Sequence, residues 1–160
     1  YMETNEVYDK LKKVFEDGIG ELKTDVPVYP FFFVSADKIN AVSLFLRDEE
    51  SMQFDNLSCL SGLDYDKDNL AVVYHLYSYV HHHKLVVKVV VPKSNPVVKT
   101  VSDVWAAAEW HEREAYDLVG MTFEGHPDLR RILLPEDWEG HPLRKDYKVP
   151  EFYRGMKVPY

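Results

Sequence analysis

The sequence predicts an α+β domain: a sheet of about four strands, mostly antiparallel, with helices packed mainly on one face and an extended C-terminal arm. Three observations carry that prediction. Residues 71–80 and 85–91 are rich in Val and Tyr and are separated by a short polar connection, the pattern of an antiparallel hairpin. Three other stretches repeat apolar residues at helical spacing. Beyond Gly120 neither period persists, although acids, arginines, aromatics, prolines and glycines become dense.

In the first stretch Thr4 is placed to cap a helix carrying Val7, Leu11, Val14 and Phe15, and Gly18 to end it. After Pro27 and Pro30, the run Phe31-Phe32-Phe33-Val34 has the aromatic and β-branched content of a buried strand. Ser35 then starts a second helix with Ile39, Val42, Phe45 and Leu46 facing inward. Residues 52–60 read as a strand, and Ser61-Gly62 through Asn69 as a polar turn. Pro92 and Pro96 close the sheet region.

The third helix spans about 101–119, with Gly120 as its stop. A helical projection puts Val101, Val104, Trp105, Ala108, Ala115 and Val119 on one stripe, and Glu112 falls on the same stripe. Either the helix bends and Glu112 sits at a rim, or Glu112 is partly buried. An unpaired buried carboxylate is very costly, so the second reading requires a partner, with Arg130, Arg131 or Arg144 as the candidates. Glu109 and Arg113 stand in acid-first order on adjacent helical turns, an arrangement that contributes a few tenths of a kcal/mol at most. Further on, GHPDLRR from Gly125 is echoed by GHPLRK from Gly140. Proline drives His126 and His141 toward extended geometry, so each unit is a fixed corner presenting a leucine and a basic pair. Residues 147–160 show no helix or strand pattern and are expected to lie on a partner surface.

Composition narrows the function classes. A length of 160 residues suits one domain with a real core, and 46% hydrophobic content supports a folded chain. A formal net charge of −8 argues against non-specific nucleic-acid binding. The single cysteine, Cys59, excludes an internal disulfide and a cysteine-ligated cluster built by this chain alone. No apolar run approaches the roughly 20 residues that span a bilayer, and the start of the chain lacks a cleavable signal pattern. A soluble, cytosolic protein that meets membranes only through partners is expected. Five of the six arginines lie at or beyond Arg113, whereas lysine is spread mostly over the first hundred residues. Guanidinium forks suit desolvated contacts, so a docking role for the second part is expected.

Catalytic readings are weaker. Glu112, Glu114 and Asp117 offer carboxylates for acid and base work, but successive helix positions point apart, and a salt-bridge network is the better account. His81, His82 and His83 alternate faces in extended structure and have no acidic or cysteine partner at ligand spacing. His111, His126 and His141 form no HExxH motif, and no glycine-rich phosphate loop occurs. Cys59, in a predicted strand, reads as a small core residue.

The run from Trp110 through EREAYDLVGMTFEGHPDLRRILLPEDWEGHPLRKDY resembles the signature of the 30 kDa subunit family of respiratory complex I, the C subunit of bacterial NADH:quinone oxidoreductase. It is nearly continuous over about a quarter of the chain, and the upstream order of elements is compatible with the same family. One departure is visible, with Lys148 and Val149 standing before Pro150.

The resemblance implies a peripheral-arm subunit on the cytoplasmic side of the bacterial plasma membrane, in a proton-translocating enzyme. It implies no cofactor bound by this chain, with NADH, FMN, iron-sulfur clusters and quinone held in partner subunits. The implied partners are the 49 kDa quinone-site subunit and neighbouring iron-sulfur subunits. Glu112, Arg113, Glu114 and Asp117, then Gly125, His126, Pro127, Asp128, Arg130 and Arg131, then Pro142, Arg144, Lys145 and Asp146 match the motif and would fix the C-terminal fold and its docking surface. On this reading residues 1–120 form the α+β domain and 121–160 an extended docking segment of the same structural unit. The rivals are the equivalent subunit of a membrane-bound hydrogenase or of a ferredoxin- or F420-dependent oxidoreductase, a stand-alone acid/base hydrolase, and a stand-alone regulatory binding module.

Overall fold

A computed structural model describes residues 2–158; the last two residues of the predicted partner-bound tail lie outside that range. The chain runs α1 (Thr4–Phe15), a 3-10 turn (Glu16–Gly18), β1 (Ile19–Lys23), β2 (Phe31–Val34), α2 (Ile39–Asp48), β3 (Asn56–Asp64), β4 (Asn69–Tyr77), β5 (Lys84–Pro92), β6 (Val97–Lys99), α3 (Ala108–Val119), β7 (Thr122–Glu124), β8 (Phe152–Tyr153) and β9 (Met156–Lys157). The α+β class holds. The main sheet has five strands in the order β1-β2-β5-β4-β3, antiparallel except for the parallel β2–β5 pair.

The predicted hairpin is β4–β5, in continuous register from Tyr77 opposite Lys84 to Asn69 opposite Pro92. Strand alternation sends Leu70, Val72, Tyr74 and Leu76 of β4 and Leu85, Val87, Val89 and Val91 of β5 to one face, where all are buried. Phe32 of β2, Ile39, Val42 and Leu46 of α2, and Val7 and Leu11 of α1 belong to the same core. Each such side chain, once buried, contributes about 1.5–3 kcal/mol.

Several boundaries move. The fifth strand, β1, was not anticipated; it is short, and its apolar signal is limited to Ile19 and Leu22. β3 begins four residues later than residue 52 and takes in the first part of the predicted turn, since its register with β4 continues to Asp64 opposite Leu70; the turn itself is residues 65–68. Gly62, read as a turn residue, lies within that strand. A Cβ there would stand 3.0 Å from the Ala115 Cβ, so glycine lets α3 approach the sheet.

α3 starts at Ala108 rather than near residue 101, since the Thr100–Val101 backbone is turned to meet Glu112. α1 is capped by Glu3 in a box with Glu6, one residue before Thr4. α2 begins a turn after Ser35, whose carbonyl accepts Lys38 and Ile39. The tail does contain a strand pair, β8–β9, joined through Arg154 and Gly155, both at positive φ, the backbone of a tight hairpin turn. Val14 is exposed, and Cys59 is half-buried with its Sγ 3.3 Å from the Ser61 hydroxyl rather than in the core.

Candidate functional site

α3 carries the densest set of buried polar groups, and its two charged ends face different ways. Glu112 is fully buried. It accepts from the Thr100 hydroxyl and, at 2.7 Å, from the Val101 N–H. The predicted arginine partner is not there. Arg130, Arg131 and Arg144 all bond elsewhere, and the nearest basic group is His126, whose Nε2 lies 4.0 Å from the carboxylate. Burial pushes the Glu112 carboxyl up to about 7 despite those two hydrogen bonds, and the charge of Asp103 adds to the rise. The Tyr74 hydroxyl, buried without a hydrogen-bond partner among the described residues, is pushed well up by burial and then by the charge of Glu112.

Asp117 faces the arm. Its Oδ1 takes the Arg131 Nη1 at 2.7 Å, and its Oδ2 accepts the backbone N–H groups of Ile132, Leu133 and Leu134 at 3.1, 2.8 and 2.8 Å. Burial raises its carboxyl, but the Leu134 N–H, the Arg131 guanidinium and the other two N–H groups outweigh that and hold it below the usual carboxylate range. One side chain thus gathers four donors and nucleates the turn in which the arm leaves Arg131.

The remaining motif residues extend the same scheme. Arg113, buried and stacked 5.4 Å from the Trp110 ring, donates to the carbonyls of Arg130 and Arg131. It makes no ion pair with Glu109, contrary to the helical spacing. His126 donates from Nε2 to the Glu109 carbonyl at 3.0 Å and accepts the Asp128 N–H on Nδ1, which fixes its tautomer. Gly125 sits at φ +87°, turning the chain into His126-Pro127. Arg131 also donates to the Trp138 and Gly140 carbonyls.

The second corner closes back on the helix end. His141 donates from Nδ1 to the Asp117 carbonyl, Leu143 donates its N–H to the Leu118 carbonyl, and Arg144 donates to Val119 and Gly120. Gly120 has φ +79°, and a Cβ there would lie 2.6 Å from both His141 and Arg144, so only glycine fits. The Lys145 N–H reaches Asp64 of β3, a carboxylate held by Lys93 at 2.7 Å. Pro142 is half-buried, whereas Glu114, Lys145 and Asp146 extend to solvent. Arg130 pairs with Asp128 on the surface.

Chemically this is a clamp. The carboxylates of Glu112 and Asp117 are committed to separate hydrogen-bond sets and do not converge on a shared space. The histidines of the β4–β5 connection are also occupied: His81 and His83 bond the Glu50 and Met52 carbonyls, and His82 meets the Tyr77 hydroxyl. Among the described residues no group of three His, Cys, Asp or Glu is placed to hold a metal ion, and no helix is long and apolar enough to cross a membrane. Sequence reasoning missed Thr100 and Asp64. Thr100 could have been found from its place just before the predicted start of a helix with an inward acid; Asp64 gives no local signal.

While the guanidinium groups of Arg131 and Arg144 turn inward, apolar side chains of the arm turn outward. Leu133, Leu143, Val149, Phe152 and Met156 are each more than half exposed, Met156 at 64%.

The profile of the respiratory-chain NADH dehydrogenase 30 kDa subunit family matches residues 32–153. The C subunit of the NADH-quinone oxidoreductase of Chloroherpeton thalassium is 50% identical over 155 residues, covering 96% of this chain and 64% of the relative. That of Chlorobium phaeobacteroides is 47% identical over 156 residues, covering 96% of this chain and 93% of the relative. The chain therefore spans slightly under two thirds of the first of these proteins and nearly all of the second. A solved trypsin-resistant fragment of Nqo5 superposes with a TM-score of 0.61 at 29% identity, over 76% of this chain and 97% of the fragment. A chain of the membrane-bound sulfane sulfur reductase, an archaeal respiratory membrane complex, gives a TM-score of 0.71 at 27% identity over 90% and 85%.

Proposed function

The chain belongs to the 30 kDa subunit family of respiratory-chain NADH dehydrogenase, and from that premise we propose that it is a peripheral-arm subunit of a proton-translocating NADH:quinone oxidoreductase, acting in assembly and docking. The observation that supports a docking role is the arm itself. Its backbone is tied to α3 and β3 through Asp117, Arg113, Arg131, Arg144 and Asp64, yet its apolar side chains face outward. A monomer gains nothing by ordering a strand-poor segment so as to expose leucines and a phenylalanine, whereas a partner surface gains a shaped apolar template.

On this reading residues 121–160 are the docking segment, and the motif residues serve it in two ways. Glu112, Arg113, Asp117, His126, Arg131 and Arg144, with Gly125, Pro127 and Pro142 at the corners, fix its shape. Glu114, Asp128, Arg130, Lys145 and Asp146 are left to meet partners at the surface. Those partners are the 49 kDa quinone-site subunit and neighbouring iron-sulfur subunits, with the NADH, FMN, clusters and quinone held by other subunits of the enzyme and none by this chain. The chain then sits on the cytoplasmic side of the plasma membrane through them.

Affinity purification of the tagged chain from its native host tests this. Stoichiometric recovery of the quinone-site and iron-sulfur subunits is expected; recovery of a solitary monomer overturns the proposal. A second reading, the equivalent subunit of another membrane-bound oxidoreductase, is favoured by the similarity in fold to the sulfane sulfur reductase chain. It predicts co-purification without an NADH-binding flavin subunit.

A further inference from the structure

The main sheet has two faces, and the helices cover one. On the other, Lys84, Val86 and Lys88 of β5 follow one another at the two-residue repeat of a strand, opposite Tyr77, His75 and Val73 of β4. The loop ahead of β2 crosses this face and leaves a groove of about 410 Å³, lined by Val28, Tyr29, Phe31 and Val73 together with His75 and Lys88. A second hollow of about 270 Å³ shares Tyr29, His75 and Val86 with it and reaches Lys84. Val28 is 74% exposed at the rim and Tyr29 is 46% exposed.

The charge on this face is unanswered. The Lys88 ammonium lies 3.7 Å from the centroid of the Phe31 ring, and Lys84 lies 5.8 Å from that of Tyr29. Among the described residues no carboxylate is within ion-pair distance of either lysine. The chain has 27 acidic residues against 19 basic ones, so carboxylates are plentiful; Glu3 shares a hollow with Lys84, Val86 and Tyr29, but no Asp or Glu lines the groove at Lys88. Glu21 at the sheet edge is taken by Lys23. Burial lowers the proton affinity of Lys88, and burial followed by the charge of Lys88 lowers that of His75. A ring face replaces only part of the hydration that a half-buried ammonium loses. A carboxylate would supply the rest, and apolar groups beside it would fill the groove.

We propose that this open sheet face docks a segment of a partner polypeptide that sets an Asp or Glu side chain over Lys88 and apolar side chains against Val28 and Tyr29. The inference rests on the chain being part of a multisubunit assembly, and it names a second surface, on the face of the sheet that α3 and the arm do not cover. Charge complementarity selects the partner: an apolar segment with a lone acid, rather than a basic one.

The test uses the tagged chain in its native assembly and the same full chain purified alone. Lysine acetylation by an N-hydroxysuccinimide ester is read by mass spectrometry, with exposed Lys67 as internal reference. In the assembly Lys88 should label at least tenfold more slowly than in the free chain, and carbodiimide should join Lys88 to an Asp or Glu of another subunit. Lys88→Arg should abolish that cross-link while the chain stays in the assembly; Lys88→Glu should lower its retention at least tenfold. Equal labelling in both states overturns the proposal. So does protection without a cross-link to another subunit, which would mean a lipid or other non-protein occupant. If the chain purifies without partners, the assembly reading falls along with this one; if partners are recovered and Lys88 labels freely, only this one falls.

Discussion

Glu112 and Asp117 sit on one helix, both fully buried, and they behave as opposites. Glu112 faces the body of the domain and receives two donors; burial prevails and its proton is held up to about 7. Asp117 faces the arm and receives a guanidinium and three backbone N–H groups; the donors prevail and its carboxyl stays ionised below the usual range. The difference shows how two regions of a small protein are held by different physics. The body rests on many interchangeable apolar contacts, whereas the arm rests on a few irreplaceable polar ones.

Asp117→Ala should have the largest effect, because it strands three N–H groups and a guanidinium that is 14% exposed; removing one partner of such a pair costs about 3–5 kcal/mol. The arm should then be cut by trypsin at Arg131 and Arg144 while the far-UV signal of the sheet persists. Loss of both in a single transition would erase the distinction between arm and body. The Asp117 contribution is also pH-dependent: with its folded pKa below the ordinary 3.8, it is present above that value and lost as the pH falls through the folded one.

Glu112→Gln sharpens the contrast through the opposite sign. The folded pKa lies above the ordinary 4.5, so the stability Glu112 contributes is full below that value and lost as the pH rises through about 7. The variant should therefore gain on the wild type as the pH is raised from about 5 to about 8, approaching a difference on the order of 3 kcal/mol. Denaturant unfolding at a series of pH values measures it, and parallel curves would mean that Glu112 is ionised throughout.

Gly120→Ala tests the joint between the regions. It meets both a left-handed backbone and the side chains of His141 and Arg144, at a cost of about 1–3 kcal/mol, and should loosen the second corner before the sheet. The smallest effect belongs to the body: Tyr74→Phe removes a buried hydroxyl without a partner among the described residues and should raise the melting temperature slightly, by up to about 1 kcal/mol of stability.

Legibility followed the same division. The hairpin of β4 and β5, the three helices and the inward stripe of α3 could all be read because a strand or helix writes its burial at a fixed local period. The mistakes fell where a distant group intervened. β3 continues into the predicted turn, as far as Asp64, because its residues pair with β4 there, and Gly62 within it lets Ala115 of α3 approach. α3 starts late because Val101 is called to Glu112. The burial of Glu112 was legible as one of two readings, but its expected arginine was taken by Asp117, whose partners lie 14 to 17 residues away.

The sequence by itself determined the α+β class, the family and the loss of periodicity that marks the arm, since these depend on residue order within a few turns of chain. Only the tertiary structure decided that Arg113, Arg131 and Arg144 turn inward, that the Lys145 backbone closes on Asp64 across 81 residues, and that no acid lines the groove at Lys88. The reason is that a hydrogen bond is directional and short, so its partner is chosen by where the folded chain places a donor, and nothing in the local order of residues encodes that position.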